Sequence, residues 1–161
     1  MPKTLTGLAE FNARDDIAAE LLACCASRAF ARSVTAQRPY RDPAQLTAAA
    51  DAAVRGLAWP DVLEALSAHP RIGERAASAW SRQEQSGVED DTRAELAEGN
   101  RAYEDRFGHV YLICATGLTG AEMLARLRER LCHDEETERE TVRDELAKIT
   151  KLRLVKLLEG S

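Results

Sequence analysis

Four groups of residues in this 161-residue chain are of types that do chemistry. The first is His69, set in the run Ala68-His69-Pro70-Arg71-Ile72-Gly73-Glu74. Pro70 lacks an amide proton and restrains His69 to extended backbone angles, while Gly73 permits a sharp turn or the close approach of a ligand. An imidazole held in this way at a helix end is a fixed acid or base rather than a loose surface group. The second group is Ser81, Glu84, Gln85 and Val88. Their spacing of i, i+3, i+4 and i+7 puts a hydroxyl, a carboxylate and an amide on one helix face. The third is the apolar run from His109 to Ala115, short and β-branched, with no second strand to pair with. The backbone groups of Leu112, Ile113, Cys114 and Ala115 therefore need partners other than a sheet, and a polar ligand could supply some of them. The fourth is Arg153, in the middle of the stripe Val142, Leu146, Ile149 and Leu157. A guanidinium directed inward there needs an anion, such as Glu84 or a bound carboxylate.

Taken together these groups suit a small, polar, anionic molecule. Arginine binds a carboxylate, glutamine and backbone groups bind amides, and histidine with glutamate moves protons. The chain has no phosphate loop, dinucleotide fingerprint or metal motif. Ser81 with His69 does not make a hydrolase, because no nucleophile elbow accompanies them. Each group also has a plainer structural explanation. Helix exits carry Pro and Gly, a polar helix face is ordinarily solvated, and an arginine stem can run along apolar surface and carry its charge to water. On the residues alone, a cofactor-free acid/base enzyme and a helical interaction module both stand.

The elements that must position these groups are helices. The chain is rich in Ala, Leu, Arg and Glu and poor in aromatic and β-branched residues, which favours helix. Thr6 is placed to cap a short helix through Leu8 and Phe11, and Asn12 the next, which carries Ile17 and Leu21. Phe30 and Val34 lie on a third, which ends before Pro39. Asp42-Pro43-Ala44-Gln45 opens a helix with a cap, a proline at the first position and Gln three residues after the cap; Leu46, Ala50, Ala53 and Leu57 are its buried side. Trp59-Pro60 starts another, with Val62, Leu63 and Leu66 inward, that delivers the chain to His69. A helix over 76–86 carries the Ser81 face. One over 92–106 has the stripe Leu96, Asn100, Tyr103 and Phe107, with Asn100 a polar member. Thr119-Gly120-Ala121-Glu122 is a capping box for a helix with Leu124, Leu127 and Leu131 inward and Arg126, Arg128, Glu129 and Arg130 on its surface. The last helix spans about 134–158, with Glu135, Glu136, Glu138 and Glu140 early and Lys148, Lys151 and Lys156 late, in accord with the helix dipole. The expectation is an all-α fold of seven to nine helices, a single domain over 1–161, with one extended buried segment.

Bulk properties narrow the function. The formal net charge of −5 and a pI of about 5.3 argue against nucleic acid or a membrane surface as partner. No apolar run approaches the ~20 residues of a membrane span. Met1-Pro2-Lys3-Thr4 has no signal-peptide apolar region, and the chain is expected to be cytoplasmic. Cys24, Cys25, Cys114 and Cys132 form no C-x-x-C pair and are expected to be reduced thiols. Cys132, His133 and His109 lack the spacing of zinc ligands, so no metal is expected.

Several stretches resemble one family. They are Cys24-Cys25-Ala26-Ser27-Arg28-Ala29-Phe30, His69-Pro70-Arg71-Ile72-Gly73-Glu74, Ser81-Arg82-Gln83-Glu84-Gln85, Asn100-Arg101-Ala102-Tyr103, Arg106-Phe107-Gly108-His109, and Glu145-Leu146-Ala147-Lys148-Ile149 with Leu152-Arg153-Leu154. In order and spacing the chain resembles 2-oxo-4-hydroxy-4-carboxy-5-ureidoimidazoline (OHCU) decarboxylase, from about residue 5 to residue 158. The resemblance implies an all-helical homodimer, using no metal or organic cofactor, that completes urate breakdown to (S)-allantoin. It implies that His69 is the catalytic acid/base and Glu84 its acidic partner near the substrate. Pro70, Ser81, Gln85 and the backbone of Ile113, Cys114 and Ala115 would line the site, and Arg153 would hold or orient the substrate. The alternative within the same fold is a catalytically silent helical protein that binds purine-derived anions.

Overall fold

Helix follows helix along the chain. In a computed structural model that describes residues 7–73 and 90–159, eight helices and no strand occur among the described residues. They are α1 (Leu8–Ala13), α2 (Ile17–Cys24), α3 (Arg28–Ala36), α4 (Pro43–Arg55), α5 (Trp59–Leu66), α6 (Asp90–Phe107), α7 (Gly120–Arg130) and α8 (Glu135–Glu159). The helix expected over 76–86 and the expected cap Thr6 lie outside the described residues.

Local chemistry sets the helix starts. Ser27 accepts the Phe30 amide at 3.2 Å at the head of α3, and Asp42 accepts the Gln45 amide at 2.7 Å with Pro43 in the first turn of α4. Thr119 and Glu122 form the full reciprocal capping box of α7. Asp134 accepts the Thr137 amide at 2.7 Å before α8, which satisfies a donor that the helix itself leaves open. Asn12 departs from expectation and caps nothing. Its side-chain amide donates to the Tyr40 carbonyl at 2.9 Å and its oxygen accepts the Tyr40 amide at 2.8 Å, so a distant backbone takes both of its polar atoms.

The chain divides into two compact units, Met1–Ala65 with Leu146–Ser161, and Leu66–Glu145. In the first, Phe11, Ile17, Leu21, Phe30, Val34, Leu46 and Val62 are fully buried. Val54, rather than Ala53, continues the buried side of α4, and Leu63 of α5 is 37% exposed while Ala65 is buried. In the second unit the core is one cluster of Ile72, Leu96, Tyr103, Tyr111, Ile113, Ala115, Met123, Leu124 and Leu127. Arg130, expected at the surface, belongs to this interior and is 4% exposed, and its partner Glu138 is wholly buried. The stripe Val142, Leu146, Ile149, Leu157 is buried as expected, and Arg153 is buried with it. No helix among the described residues is long and apolar enough to cross a membrane.

Candidate active site

His69 leaves the end of α5 on a turn closed by its own amide, which donates to the Leu66 carbonyl at 3.0 Å. The residue is half-buried, as is Pro70. The rest of the turn is held to α6. Asn100 donates from Nδ2 to the Ile72 carbonyl at 2.8 Å, Arg93 donates to the Gly73 carbonyl at 3.0 Å, and Arg71 makes a forked pair with Glu104 at 2.7 and 3.0 Å. Residues 93, 100 and 104 are seven and four apart, so they share one face of α6. Gly73 has φ of +94°, a region that side chains with a Cβ rarely adopt. Asn100 is 1% exposed and its Oδ1 is buried without a partner among the described residues. An orphaned acceptor is unfavourable, so a residue kept there is kept for its donor.

The segment following His109 is neither helix nor strand. Tyr111, Ile113 and Ala115 alternate into the same cluster as Ile72, the two-residue period of extended chain. Its backbone is held by side chains and one local backbone bond instead of a neighbouring strand. Arg130 Nη1 donates to the Leu112 carbonyl at 2.6 Å. The Cys114 amide donates to Glu145 Oε1 at 3.0 Å, and the Leu118 amide donates to the Ala115 carbonyl at 3.0 Å. The amide and carbonyl of Ile113, a residue only 3% exposed, have no hydrogen-bond partner among the described residues.

Arg130 is anchored in a buried polar network. Its Nε and Nη2 donate to Glu138 Oε2 at 2.8 and 2.5 Å, and Tyr103 donates its hydroxyl proton to the same oxygen at 2.5 Å. His133 Nδ1 lies 3.0 Å from Glu138 Oε1. Burial opposes the guanidinium charge, yet the hydrogen bonds and charge of Glu138 outweigh it and hold Arg130 above its ordinary pKa. Burial, then the hydrogen bond to Glu138, raises the Tyr103 phenol.

Arg153 belongs to the other unit. It is 8% exposed and does not reach out to water; its Nη1 donates to the Ala23 carbonyl at 3.3 Å, near the C-terminal end of α2. That end of a helix carries partial negative charge and suits a cation. Cys24 and Cys25 lie beside it, both buried, and Cys114 and Cys132 are also free thiols. Burial, offset in part by the Arg153 charge, pushes the Cys24 thiol up to about 12.

Of the residues singled out in the sequence, His69, Pro70, Ile113, Cys114 and Ala115 fall in one unit and Arg153 in the other. Ser81, Glu84 and Gln85 lie outside the described residues. The sequence reading missed the supporting residues Arg130, Glu138 and Glu145. For the first two a signal existed: Arg130 follows Met123 by seven and Leu127 by three, and Glu138 precedes Val142 by four, the spacings of the buried faces.

Residues 12–155 match the family described as OHCU decarboxylase. A "Uric acid degradation bifunctional protein TTL" of Arabidopsis thaliana is 38% identical over 145 residues, 83% of this chain and 45% of that protein. The chain thus spans less than half the length of that relative. A 2-oxo-4-hydroxy-4-carboxy-5-ureidoimidazoline decarboxylase of Haloferax volcanii is 29% identical over 130 residues, 77% of either chain. The crystal structure of an OHCU decarboxylase in the presence of (S)-allantoin superposes with a TM-score of 0.78 at 34% identity, covering 86% of this chain and 96% of that one.

Proposed function

This chain belongs to the OHCU decarboxylase family, and from that premise we propose that it converts 2-oxo-4-hydroxy-4-carboxy-5-ureidoimidazoline to (S)-allantoin in urate degradation. The observation that carries the reading is the pairing, in one unit, of a restrained His69 turn with an Ile113 whose buried amide and carbonyl have no protein partner among the described residues. Those two groups offer one donor and one acceptor to a ligand rich in amide and ureido groups.

The substrate loses its carboxylate from a carbon next to a ring C=N bond. The electron pair of the broken C–C bond passes into that C=N bond as carbon dioxide departs. The ring nitrogen that receives the pair takes a proton; the carbon bearing the ureido group takes a second, and the hydroxyl gives up its own and becomes the ring carbonyl. The protein's tasks are to turn the carboxylate out of the ring plane and to deliver the proton to one face. We assign the proton transfers to His69. Glu84, as its acidic partner, disfavours the charged carboxylate more than neutral carbon dioxide, which is destabilisation of the ground state. Pro70, Ser81, Gln85 and the backbone of Ile113, Cys114 and Ala115 line the substrate, and Arg153 holds an anionic group. We further propose a single enzymatic domain acting in the cytoplasm as a homodimer.

The test is the His69→Ala variant against OHCU made in situ. Loss of at least ~100-fold in turnover, on the scale of general acid/base catalysis, with an unchanged far-UV spectrum supports the assignment. A folded His69→Ala protein with wild-type turnover removes His69 from the chemistry.

A further inference from the structure

We infer that Arg130 and Glu145 are positioning residues that aim the amide and the carbonyl of Ile113 at the substrate. The inference rests on the decarboxylase reading above and goes beyond it, to residues that touch no substrate.

The peptide bond is planar and trans, so its C=O and N–H point in opposite directions. Leu112 C=O and Ile113 N–H share one peptide plane. Arg130 Nη1 holds that carbonyl at 2.6 Å, which turns the Ile113 N–H away from Arg130. Ile113 C=O and Cys114 N–H share the next plane. Glu145 Oε1 holds that amide at 3.0 Å, which turns the Ile113 carbonyl away from Glu145. Two charged side chains thus fix both planes around Ile113, whose own amide and carbonyl have no hydrogen-bond partner among the described residues.

The rest of the network has the form of a support for Arg130. Nε and Nη2 are committed to Glu138, Tyr103 donates to the same carboxylate oxygen, and the guanidinium carbon lies 4.8 Å from the Tyr111 ring centre. The side chains of Arg130 and Glu138 are only 5% and 1% exposed. A pair buried to that degree is often no more stabilising than apolar groups of the same volume, so stability is a poor account of it. Orientation of the Leu112 carbonyl is a better one.

Two sets of variants test this with wild-type enzyme alongside. In Arg130→Met/Glu138→Leu the ion pair is replaced by apolar volume; in Glu145→Leu the acceptor is removed, and in Glu145→Gln an acceptor is retained. The expected result is folded protein, with a melting temperature near wild type in Glu145→Gln. It is lower in Glu145→Leu, where the Cys114 amide loses its acceptor, and in the double variant, where the Leu112 carbonyl and the Tyr103 hydroxyl lose their partners. kcat/KM should fall about 100-fold in the double variant and in Glu145→Leu, the loss that follows from ~1 Å of misplacement, and stay within about threefold in Glu145→Gln. If the double variant does not fold, the contrast between Leu and Gln at 145 decides alone. Equal kcat/KM in folded Glu145→Leu, Glu145→Gln and wild type overturns the inference. A wild-type chain without decarboxylase activity overturns the functional reading instead, and the positioning role with it.

Discussion

Asn100 donates its side-chain amide to the carbonyl of Ile72 at 2.8 Å, three residues beyond His69. This bond joins the turn that carries the imidazole to the middle of α6, and it is wholly buried. Replacing Asn100 by Ala leaves the Ile72 carbonyl buried without a donor, an effect of about 1–3 kcal/mol. Urea unfolding should show a lower midpoint with an unchanged slope. Asn100→Asp should be worse near neutral pH, because a buried carboxylate faces the Ile72 oxygen with no proton to donate. Wild-type stability in both variants would mean the bond has no part in holding the turn.

Gly99 marks the close approach of α6 and α7. A Cβ built there lies 2.3 Å from Cδ2 of Leu127 and 3.4 Å from its Cγ, and Leu127 is fully buried. Alanine gains about 1 kcal/mol of helix propensity over glycine, but forcing a packed leucine off its place costs about 1–3 kcal/mol. Gly99→Ala is therefore expected to lower the urea midpoint slightly rather than raise it. A raised midpoint would show that Leu127 moves aside freely.

The buried cysteines give a pH dependence with a definite sign. Burial first of all raises Cys24 to about 12 and Cys25 to about 11, from an ordinary 9.0. The native state then holds these protons more tightly than the unfolded chain. Their stabilisation is complete below pH 9 and is lost as the pH climbs from 9 through the folded values. Unfolding free energy should decline over that window. In native protein at pH 8 a thiol reagent should modify exposed Cys132 quickly and leave Cys24 and Cys25 unmodified. Rapid modification of all four thiols in folded protein would contradict this.

Features decided within a few residues were legible in the sequence. Asp42-Pro43-Gln45 and Thr119 to Glu122 announce helix starts because a cap is a local bond, and Arg153 shows as a misfit because it sits in phase with Val142, Leu146 and Ile149. Pairings across the chain were not legible. Asn12 looks like a cap until Tyr40, 28 residues away, takes both of its polar atoms. Arg130 reads as one of several surface arginines when its charge is weighed above its phase. Nothing local says that Glu138, among so many glutamates, is the one that meets it across the turn into α8. The same holds for the site: the residue types around His69 are visible, whereas the side chains of α6 that hold its turn, 20 to 33 residues later, are not.

The most direct measurement uses the handedness of the product. OHCU is generated from urate with urate oxidase and hydroxyisourate hydrolase, the protein is added, and circular dichroism is followed in time. Uncatalysed decay gives racemic allantoin with no signal, so a signal can arise only from a chiral catalyst. Rapid growth of the (S)-allantoin signal in proportion to added protein is the expected result. A flat trace from folded protein contradicts the decarboxylase assignment.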